Sequence, residues 1–145
     1  MIVVATEAEL DLAKNRFPND KIIKTGVGGL NVIKTLIDTP KDTPIINFGY
    51  VGSNVIPVGT EIKVGKSKLY HPHVTYDEPY YVLLEGDILC YTSNDFVLQT
   101  DINEPVVFDM ELAYIMALGF TNVQAIKIVS DTLNLDEYEH NVEGK

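Results

Sequence analysis

The chain has 145 residues, of which 46% are hydrophobic and 22% are charged, and its formal net charge is -10. A chain of this length fits one hydrophobic core, so we expect residues 1–145 to form a single domain. The composition differs from that of disordered chains, which combine low hydrophobicity with high charge. The negative charge repels phosphate backbones and anionic lipids, so neither nucleic acid nor a membrane surface is an expected partner.

The cysteine content and the N-terminal sequence predict a reducing, cytoplasmic location. Cys90 is the only cysteine, so no intrachain disulfide is expected, and its place at the end of an apolar run is typical of a small core residue. Residues 1–11 carry carboxylates where a signal peptide has a positive flank. No apolar run approaches the about 20 residues of a membrane span.

Short apolar runs alternate with helical patterns in the first third of the sequence. Residues 2–5 are typical of a strand buried on both faces, and residues 7–15 carry apolar side chains at helical spacing. Residues 22–37 repeat this order, and residues 44–49 form a third apolar run. The predicted order is therefore β-α-β-α-β. The apolar stripe of the second helix consists of Leu30, Val32, Ile33, Leu36 and Ile37.

The rest of the sequence continues with strands and one further helix. Residues 61–70 and 80–91 are rich in β-branched and aromatic side chains, which favours strands. Residues 106–118 predict a strand that leads into a helix, and residues 123–129 predict another strand. Residues 134–145 are acidic and polar and predict a partly frayed tail. This order predicts a three-layer α/β fold with a mixed central β-sheet flanked by helices.

The glycine-containing loop Thr25–Gly29 follows a predicted strand and opens a predicted helix. Backbone N–H groups at such a position can hold an anion or a polar ligand. The loop lacks the Gly-Lys-Ser/Thr ending of a P-loop, and Asn31 occupies the third-glycine position of a dinucleotide fingerprint. A plain tight turn is therefore favoured, and no cofactor is expected.

Three acidic residues are candidates for chemistry, and each also has a structural interpretation. Glu9 follows the first strand, where ligands of open α/β sheets collect, but a carboxylate in a first helical turn also complements the helix dipole. Ser130 and Asp131 follow the last predicted strand, and they fit either a helix cap or a functional acid. Glu111 has apolar neighbours, so we expect partial burial, and a buried carboxylate requires a partner.

Histidine and tyrosine clusters in the middle of the chain favour no specific site. His71 and His73 have no obvious third ligand nearby, which favours a loop over a zinc site, so no metal is expected. Tyr76, Tyr80 and Tyr81 fit a ligand face, strand packing or a subunit contact equally well.

Six short motifs occur in the sequence: an acidic motif, a glycine loop, a small-residue loop, a Val-Gly turn, a Met-Glu helix start and a Ser-Asp motif. They lie at residues 5–10, 25–29, 46–52, 57–61, 108–111 and 128–132. In this order they resemble the nucleoside phosphorylase and nucleosidase superfamily, above all the methylthioadenosine and S-adenosylhomocysteine nucleosidases. The chain looks like a compact, truncated member, and with fourteen residues after Asp131 we expect it to lack the family's long C-terminal helix.

The resemblance implies hydrolysis of the N-glycosidic bond of a purine nucleoside, which releases the free base. Such a reaction needs a general acid near the base and a carboxylate near the attacking water. By resemblance, Asp131 is the acid at purine N7, and Glu9 orients and deprotonates the water. The implied substrate contacts are Phe96 and Val97 at the base, Met110 and Glu111 at the ribose, and Tyr50 and Ser130 beside them.

The arginine content bears on the choice between water and phosphate as the nucleophile. Phosphorylases of the superfamily hold phosphate largely through arginines, which make bidentate contacts. Arg16 is the only arginine here, near the end of the first helix, and Asn47 stands where the bacterial phosphorylases have arginine. Hydrolysis is therefore expected, with phosphorolysis as the alternative.

Two departures from the family pattern leave a non-catalytic nucleoside or nucleotide binder as a further alternative: the long C-terminal helix is expected to be missing, and Tyr50 replaces a small residue beside the nucleophile. Lys127 stands where the nucleosidases carry an arginine, so the resemblance does not carry over that arginine's supporting electrostatic role. The resemblance also implies a homo-oligomer, either a dimer or a hexamer, in which a neighbouring subunit completes the pocket.

Overall fold

A computed structural model describes residues 1–71 and 77–143 of the chain. The strands are β1 (Ile2–Val4), β2 (Ile22–Lys24), β3 (Ile45–Gly52), β4 (Glu61–Leu69), β5 (Tyr81–Val82), β6 (Ile88–Thr92), β7 (Val107–Asp109) and β8 (Val123–Asp131). The helices are α1 (Glu7–Arg16), α2 (Gly29–Leu36), α3 (Leu112–Ala117) and α4 (Leu135–Tyr138), and a π-helical turn follows at Glu139–Glu143. The predicted β-α-β-α-β order of the first third is confirmed.

The strands form one mixed sheet that closes on itself. β1 pairs in parallel with β2 and β3, and β3 pairs in parallel with β8 over its whole length. β8 then pairs with β4 in the antiparallel sense, β4 with β6 in parallel, and β6 with β7 in parallel. A contact between β7 and β3, at Phe108 and Gly52, completes a ring of five strands. The mixed sheet was predicted, whereas its closure was not.

Helices cover both faces of the sheet, so the three-layer α/β prediction is confirmed. Ala13 of α1 packs with Ile2, Val4 and Phe48 on one face. The larger cluster, on the other face, contains Val32 and Leu36 of α2 and Leu112 and Ile115 of α3, together with side chains from the strands. Because a strand alternates its side chains between faces, β1 and β3 supply both clusters.

Closure of the sheet brings several strand ends to one edge. Gly52, the last residue of β3, is in register with Asp131 at the end of β8 and with Phe108 in β7. Thr92 at the end of β6 is in register with Asp109 at the end of β7. A slip in the β3–β8 register just before Gly52 marks this edge. Polar side chains that are distant in the sequence therefore meet at one place.

The segment after β8 makes specific hydrogen bonds, although its polar sequence predicted a partly frayed tail. Asn134 caps α4, because its side-chain oxygen accepts a hydrogen bond from the Glu137 N–H at 3.0 Å. Asn141 donates a hydrogen bond to the Ser130 carbonyl at 2.7 Å, which attaches the π-helical turn to β8. These contacts hold α4 beside the edge where β3 and β8 end.

The apolar stripe predicted for α2 is only partly buried. Val32 and Leu36 are fully buried, as expected, but Leu30, Ile33 and Ile37 are 71%, 38% and 52% exposed. The reason is geometric. Only the side of α2 that carries Val32 and Leu36 packs on the sheet, and the other apolar residues point away from it.

Leu36→Ala tests the packing of α2 on the sheet. Removing this fully buried side chain leaves a cavity, so we expect the free energy of unfolding to fall by about 2–5 kcal/mol. Leu84→Ala, at a position 58% exposed, is the matched control and is expected to change it by less than about 0.5 kcal/mol. Urea unfolding followed by circular dichroism measures both, and equal losses would contradict this packing.

Candidate active site

A cavity of about 230 Å³ opens at the edge of the sheet where β3, β7 and β8 end. Its walls come from the start of α1, the loop before α2, the three strand ends, the loop after β6 and α4. The lining residues are Ala5, Thr6, Val27, Tyr50, Val51, Gly52, Phe96, Phe108, Asp109, Met110, Glu111, Ser130, Asp131 and Tyr138. Six of the eight site residues predicted from the sequence therefore lie around one space.

Asp131 is the most deeply buried acid of this wall, with 1% of its surface exposed. Its Oδ2 accepts a hydrogen bond from Ser130 Oγ at 2.8 Å, and its Oδ1 accepts one from the Leu133 N–H at 2.9 Å. Burial raises the pKa of Asp131 above its ordinary value, although these hydrogen bonds oppose the shift. A raised pKa favours a protonated acid that has a proton to give.

Gly52 allows the Asp131 side chain to lie against β3. A Cβ atom at Gly52 would stand 2.7 Å from Asp131 Oδ1 and 2.9 Å from Leu133 Cδ2, which is too close for non-bonded atoms. The absence of a side chain here is what leaves room for the acid at the end of the neighbouring strand.

Glu9 lies behind the cavity wall, and its carboxylate is held by backbone groups. Oε1 accepts hydrogen bonds from the N–H groups of Ala5 at 2.8 Å and Thr6 at 3.2 Å, and Oε2 accepts one from Tyr50 at 2.8 Å. In the other direction, the Glu9 N–H donates a hydrogen bond to the Thr6 hydroxyl oxygen. Thr6 and Glu9 together therefore form a capping box. A side chain at Gly49 would overlap the Glu9 carboxylate. The helix-start interpretation is therefore correct, and the same carboxylate fixes the backbone of three cavity residues.

Glu111 approaches the cavity from the start of α3 and meets the glycine loop. Its Oε2 accepts a hydrogen bond from the Gly28 N–H at 2.7 Å. Burial and the neighbouring charge of Asp109 raise the pKa of Glu111 to about 8. The loop at residues 25–29 therefore binds a polar group through its backbone, as its position in the sequence allows, and that group is a carboxyl of the protein itself.

Asp109 is a cavity residue that the sequence did not single out. It precedes the Met110 and Glu111 pair and was treated only as part of that motif. Its Oδ2 accepts the Leu112 N–H at 2.8 Å, and its Oδ1 accepts the Thr92 hydroxyl at 2.5 Å. The spacing of an acid three residues before a helical N–H is a capping signal that could have identified it.

Aromatic side chains form the more open wall of the cavity. Phe96 and Tyr138 make an edge-to-face contact with ring centroids 5.4 Å apart, and Tyr50 lies across from them on β3. Val97 lines a smaller adjoining cavity of about 30 Å³, which also includes Phe96. Tyr138 was not predicted, because nothing in the acidic tail indicated that α4 would fold back to the site.

Among the other candidates that the structure describes, His71, Tyr80, Tyr81 and Cys90 do not line this cavity. His71 Nε2 is 2.9 Å from Glu78 Oε1, and His73 and Tyr76 fall outside the described residues. Cys90 is fully buried in the core, and burial raises the pKa of its thiol well above the ordinary value. Tyr80 lies beneath the Lys68 ammonium group, at 4.6 Å from the ring centroid.

The mixed sheet with its flanking helices is similar in fold to solved nucleosidases. Futalosine hydrolase of Helicobacter pylori aligns with a TM-score of 0.79 at 12% identity, over 99% of this chain and 90% of that chain. The 5′-methylthioadenosine/S-adenosylhomocysteine nucleosidase of Neisseria meningitidis, in complex with methylthio-immucillin-A, aligns with a TM-score of 0.76 at 15% identity, over 98% and 90%. The S-adenosylhomocysteine nucleosidase of Streptococcus pyogenes aligns with a TM-score of 0.75 at 17% identity, over 98% and 89%.

Likeness at these identities establishes the fold. No protein-family model matches the chain, and no curated protein matches its sequence. The predicted fold is thus confirmed by comparison of three-dimensional structures. Within residues 1–71 and 77–143, none of the helices combines the length and apolar character needed to cross a membrane.

Glu111→Gln tests the environment of this acid through the pH dependence of stability. With a pKa of about 8 in the folded state and an ordinary value of 4.5, folded Glu111 keeps a proton that the unfolded chain releases between these values. Stability is therefore lost as the pH rises through this window. Thermal melts at pH 5 and pH 9 are expected to show a smaller loss for Glu111→Gln than for the unchanged protein. Parallel losses would contradict the raised pKa.

Proposed function

We propose that this protein is a purine nucleoside N-ribosyl hydrolase, which cleaves the N-glycosidic bond and releases the free base. The observation that carries this proposal is Asp131, a buried acid with a raised pKa that shares one cavity with Glu111 and Phe96. A leaving purine needs a proton, and a buried protonated carboxyl beside an aromatic wall supplies one. Nucleosides related to 5′-methylthioadenosine and adenosine are the substrate class.

The proposed base subsite combines a proton donor with an aromatic surface. As the C1′–N9 bond breaks, its electron pair moves to the purine, and Asp131 gives its proton to N7. Phe96 stacks on the base, with the Val97 backbone beside it. Ser130 stabilises the carboxylate that remains, since its hydroxyl already donates to Asp131 Oδ2. Charge that develops on the base is thus neutralised where it forms.

The proposed sugar subsite lies between Met110, Glu111 and Tyr50. Glu111 accepts hydrogen bonds from the ribose hydroxyls, and Met110 packs against the sugar face. Tyr50 narrows the space next to Glu9, in a position where burial and the Glu9 charge raise the pKa of its phenol. A neutral phenol at this place donates a hydrogen bond, so Tyr50 contributes to substrate selection.

Glu9 is proposed to orient the attacking water. A carboxylate has about four acceptor positions, and three of them are used by backbone N–H groups. In this proposal the remaining acceptor position, on Oε2, takes a proton from the water as the water oxygen bonds to C1′. The fixed backbone contacts hold the carboxylate in place during this step.

The charge of the cavity favours water over phosphate as the nucleophile. Among the lining residues in the described part of the chain, none is arginine, lysine or histidine, whereas Asp109, Glu111 and Asp131 are acids. Arg16 makes a bidentate pair with Glu61 on the surface. Asn47 is buried, and it donates to the Val3 carbonyl at 3.1 Å. An anionic nucleophile has no counter-charge here.

Asp131→Asn tests the general acid. Base release from 5′-methylthioadenosine and adenosine, followed by chromatography, is expected to fall by about 10²–10⁴-fold, because the amide has no proton to transfer to N7. The melting temperature is expected to stay near that of the unchanged protein, since asparagine has nearly the same shape and its amide oxygen accepts one of the hydrogen bonds that Asp131 accepts. Asp136→Asn, on the exposed side of α4, is the control and keeps full activity.

The same assay distinguishes the alternatives. Turnover that is equal with and without phosphate supports hydrolysis, and strict dependence on phosphate would overturn it. Nucleoside binding without any base release would also overturn the proposal. Loss of activity and of stability in equal proportion for Asp131→Asn would assign Asp131 a structural role only.

The proposed assembly is a homo-oligomer, either a dimer or a hexamer, in the cytoplasm. An apolar strip on the outer side of α2 supports assembly: Val27, Leu30, Ile33 and Ile37 are each at least 38% exposed. Val27 also lines the cavity, so a second subunit on this strip lies next to the site. The single buried cysteine fits a reducing compartment.

Leu30→Asp tests this assembly. A charge in the centre of the apolar strip is expected to reduce the mass measured by light scattering to that of one 16.1 kDa chain. Leu84→Asp, at an exposed position away from α2, serves as the control and is expected to leave the mass unchanged. An unchanged protein that is already monomeric would contradict the proposed assembly.

A further inference from the structure

Lys127 is a fully buried cation beneath the cavity floor, with only 2% of its surface exposed. It lies in the middle of β8, and its Nζ donates a hydrogen bond to Asn47 Oδ1 on β3 at 2.5 Å. Asp109 is its charged neighbour, with Oδ2 3.6 Å away. A buried ammonium group without an anionic partner is strongly unfavourable, so this ion pair is an important contact for Lys127.

Asp109 connects Lys127 to the start of α3. The same Oδ2 that faces Lys127 accepts the Leu112 N–H at 2.8 Å, while Oδ1 accepts the Thr92 hydroxyl. Thr92 in turn accepts the Ala113 N–H at 3.0 Å. The first turn of α3 is therefore fixed by a buried charged network, and Glu111 is the residue immediately before this helix.

Charged groups from three elements act on the Glu111 carboxyl. Asp109 from β7 and Glu9 from α1 oppose its ionisation, whereas Lys127 from β8 favours it. The Gly28 N–H also favours the ionised form through its hydrogen bond. A carboxylate accepts hydrogen bonds from two sugar hydroxyls, but a protonated carboxyl uses one of its oxygens as a donor. The sugar therefore binds best when Glu111 is ionised.

We propose that Lys127 is a positioning residue for Glu111: it anchors Asp109 at the start of α3, and its positive charge favours the form of Glu111 that accepts hydrogen bonds from the sugar hydroxyls. This inference rests on the proposed function, because it assigns Glu111 to the sugar. Lys127 itself touches Asn47 and Asp109 and does not line the cavity. Its effect is on substrate binding, and the proton transfer from Asp131 does not involve it.

The first test measures Glu111 directly and needs no substrate. Protein labelled with ¹³C-glutamate is titrated by NMR, and the Glu111 carboxyl signal is assigned by its loss in Glu111→Gln. The midpoint is expected to rise in Lys127→Met, since a favourable cation is removed, and to fall in Asp109→Asn. Lys127→Arg restores the cation and is expected to return the midpoint toward that of the unchanged protein.

The second test measures turnover as a function of pH. At neutral pH, Lys127→Met is expected to raise KM by about tenfold for each unit by which the midpoint moves, with kcat within about twofold. Lys63→Met is the control. It removes an exposed lysine of β4 that pairs with Glu85, and it is expected to leave both KM and kcat unchanged. A fall in kcat for Lys127→Met without any change in KM would overturn the positioning role.

The outcomes separate this inference from the proposed function. A midpoint that does not move in Lys127→Met or Asp109→Asn, with lowered melting temperatures, assigns the pair a structural role and overturns the inference while hydrolysis stands. Absence of turnover in the unchanged protein overturns the function independently of the titration.

If Lys127→Met does not fold, the double variant Lys127→Met/Asp109→Asn removes both charges. Its midpoint is expected below that of the unchanged protein, because Asp109 acts on Glu111 more strongly than Lys127, and a midpoint at or above it would overturn the inference.

Discussion

The enclosure of four carboxyl groups around one cavity is the constraint on which this structure depends. Glu9, Asp109 and Asp131 are buried, Glu111 is partly buried, and the buried cation Lys127 pairs with Asp109. A buried charge without a partner costs several kcal/mol in free energy, so each acid needs its own means of stabilisation. Glu9 uses backbone N–H groups, Asp109 uses Lys127 and a helix start, and the other two have raised pKa values that favour the neutral form.

This division gives the acids different chemical properties although their residue types are similar. Neighbouring acids whose environments shift their pKa values apart can act separately as proton donor and acceptor. Asp131 is enclosed at a strand end, with Gly52 leaving space for its side chain. Glu9 is the third residue of α1, and its carboxylate accepts hydrogen bonds from backbone N–H groups just before α1 and on β3. The proposed division between a general acid and a water-orienting carboxylate follows from these surroundings.

Closure of the sheet explains why these groups meet. Asp131 ends β8, Asp109 ends β7 and Gly52 ends β3, and the register of these strands brings the three ends to one edge. The helices then add residues from outside the sheet. Glu111 joins at the start of α3, and the short α4 brings Tyr138 to face Phe96. Solved nucleosidases that share only 10–19% of residues with this chain have a similar fold, because a pattern of buried positions can be kept while individual residues change.

Local pattern alone determined most of the elements of this protein. Strictly apolar runs such as residues 2–5 and 44–49 identify strands buried on both faces, and the apolar spacing of residues 7–15 identifies α1, because these periods reflect backbone geometry. The order of six motifs predicted the fold and made Glu9, Glu111 and Asp131 the candidate acids. Cys90 was correctly expected in the core. Composition and charge also indicated which ligands the surface disfavours.

Only the tertiary structure decided how these residues meet and what surrounds them. The contact between Gly52 and Phe108 that closes the sheet, the hydrogen bond from Gly28 to Glu111, and the pairing of Lys127 with Asp109 join residues far apart in the sequence. Tyr138 reaches the cavity for the same reason, and Leu30 is exposed because one side of α2 faces away from the sheet. Periodicity indicates which face of an element is apolar, but the pairing of distant segments depends on the free energy of the whole packed chain. The same packing sets the burial and the neighbouring charges of each acid, and these determine its pKa.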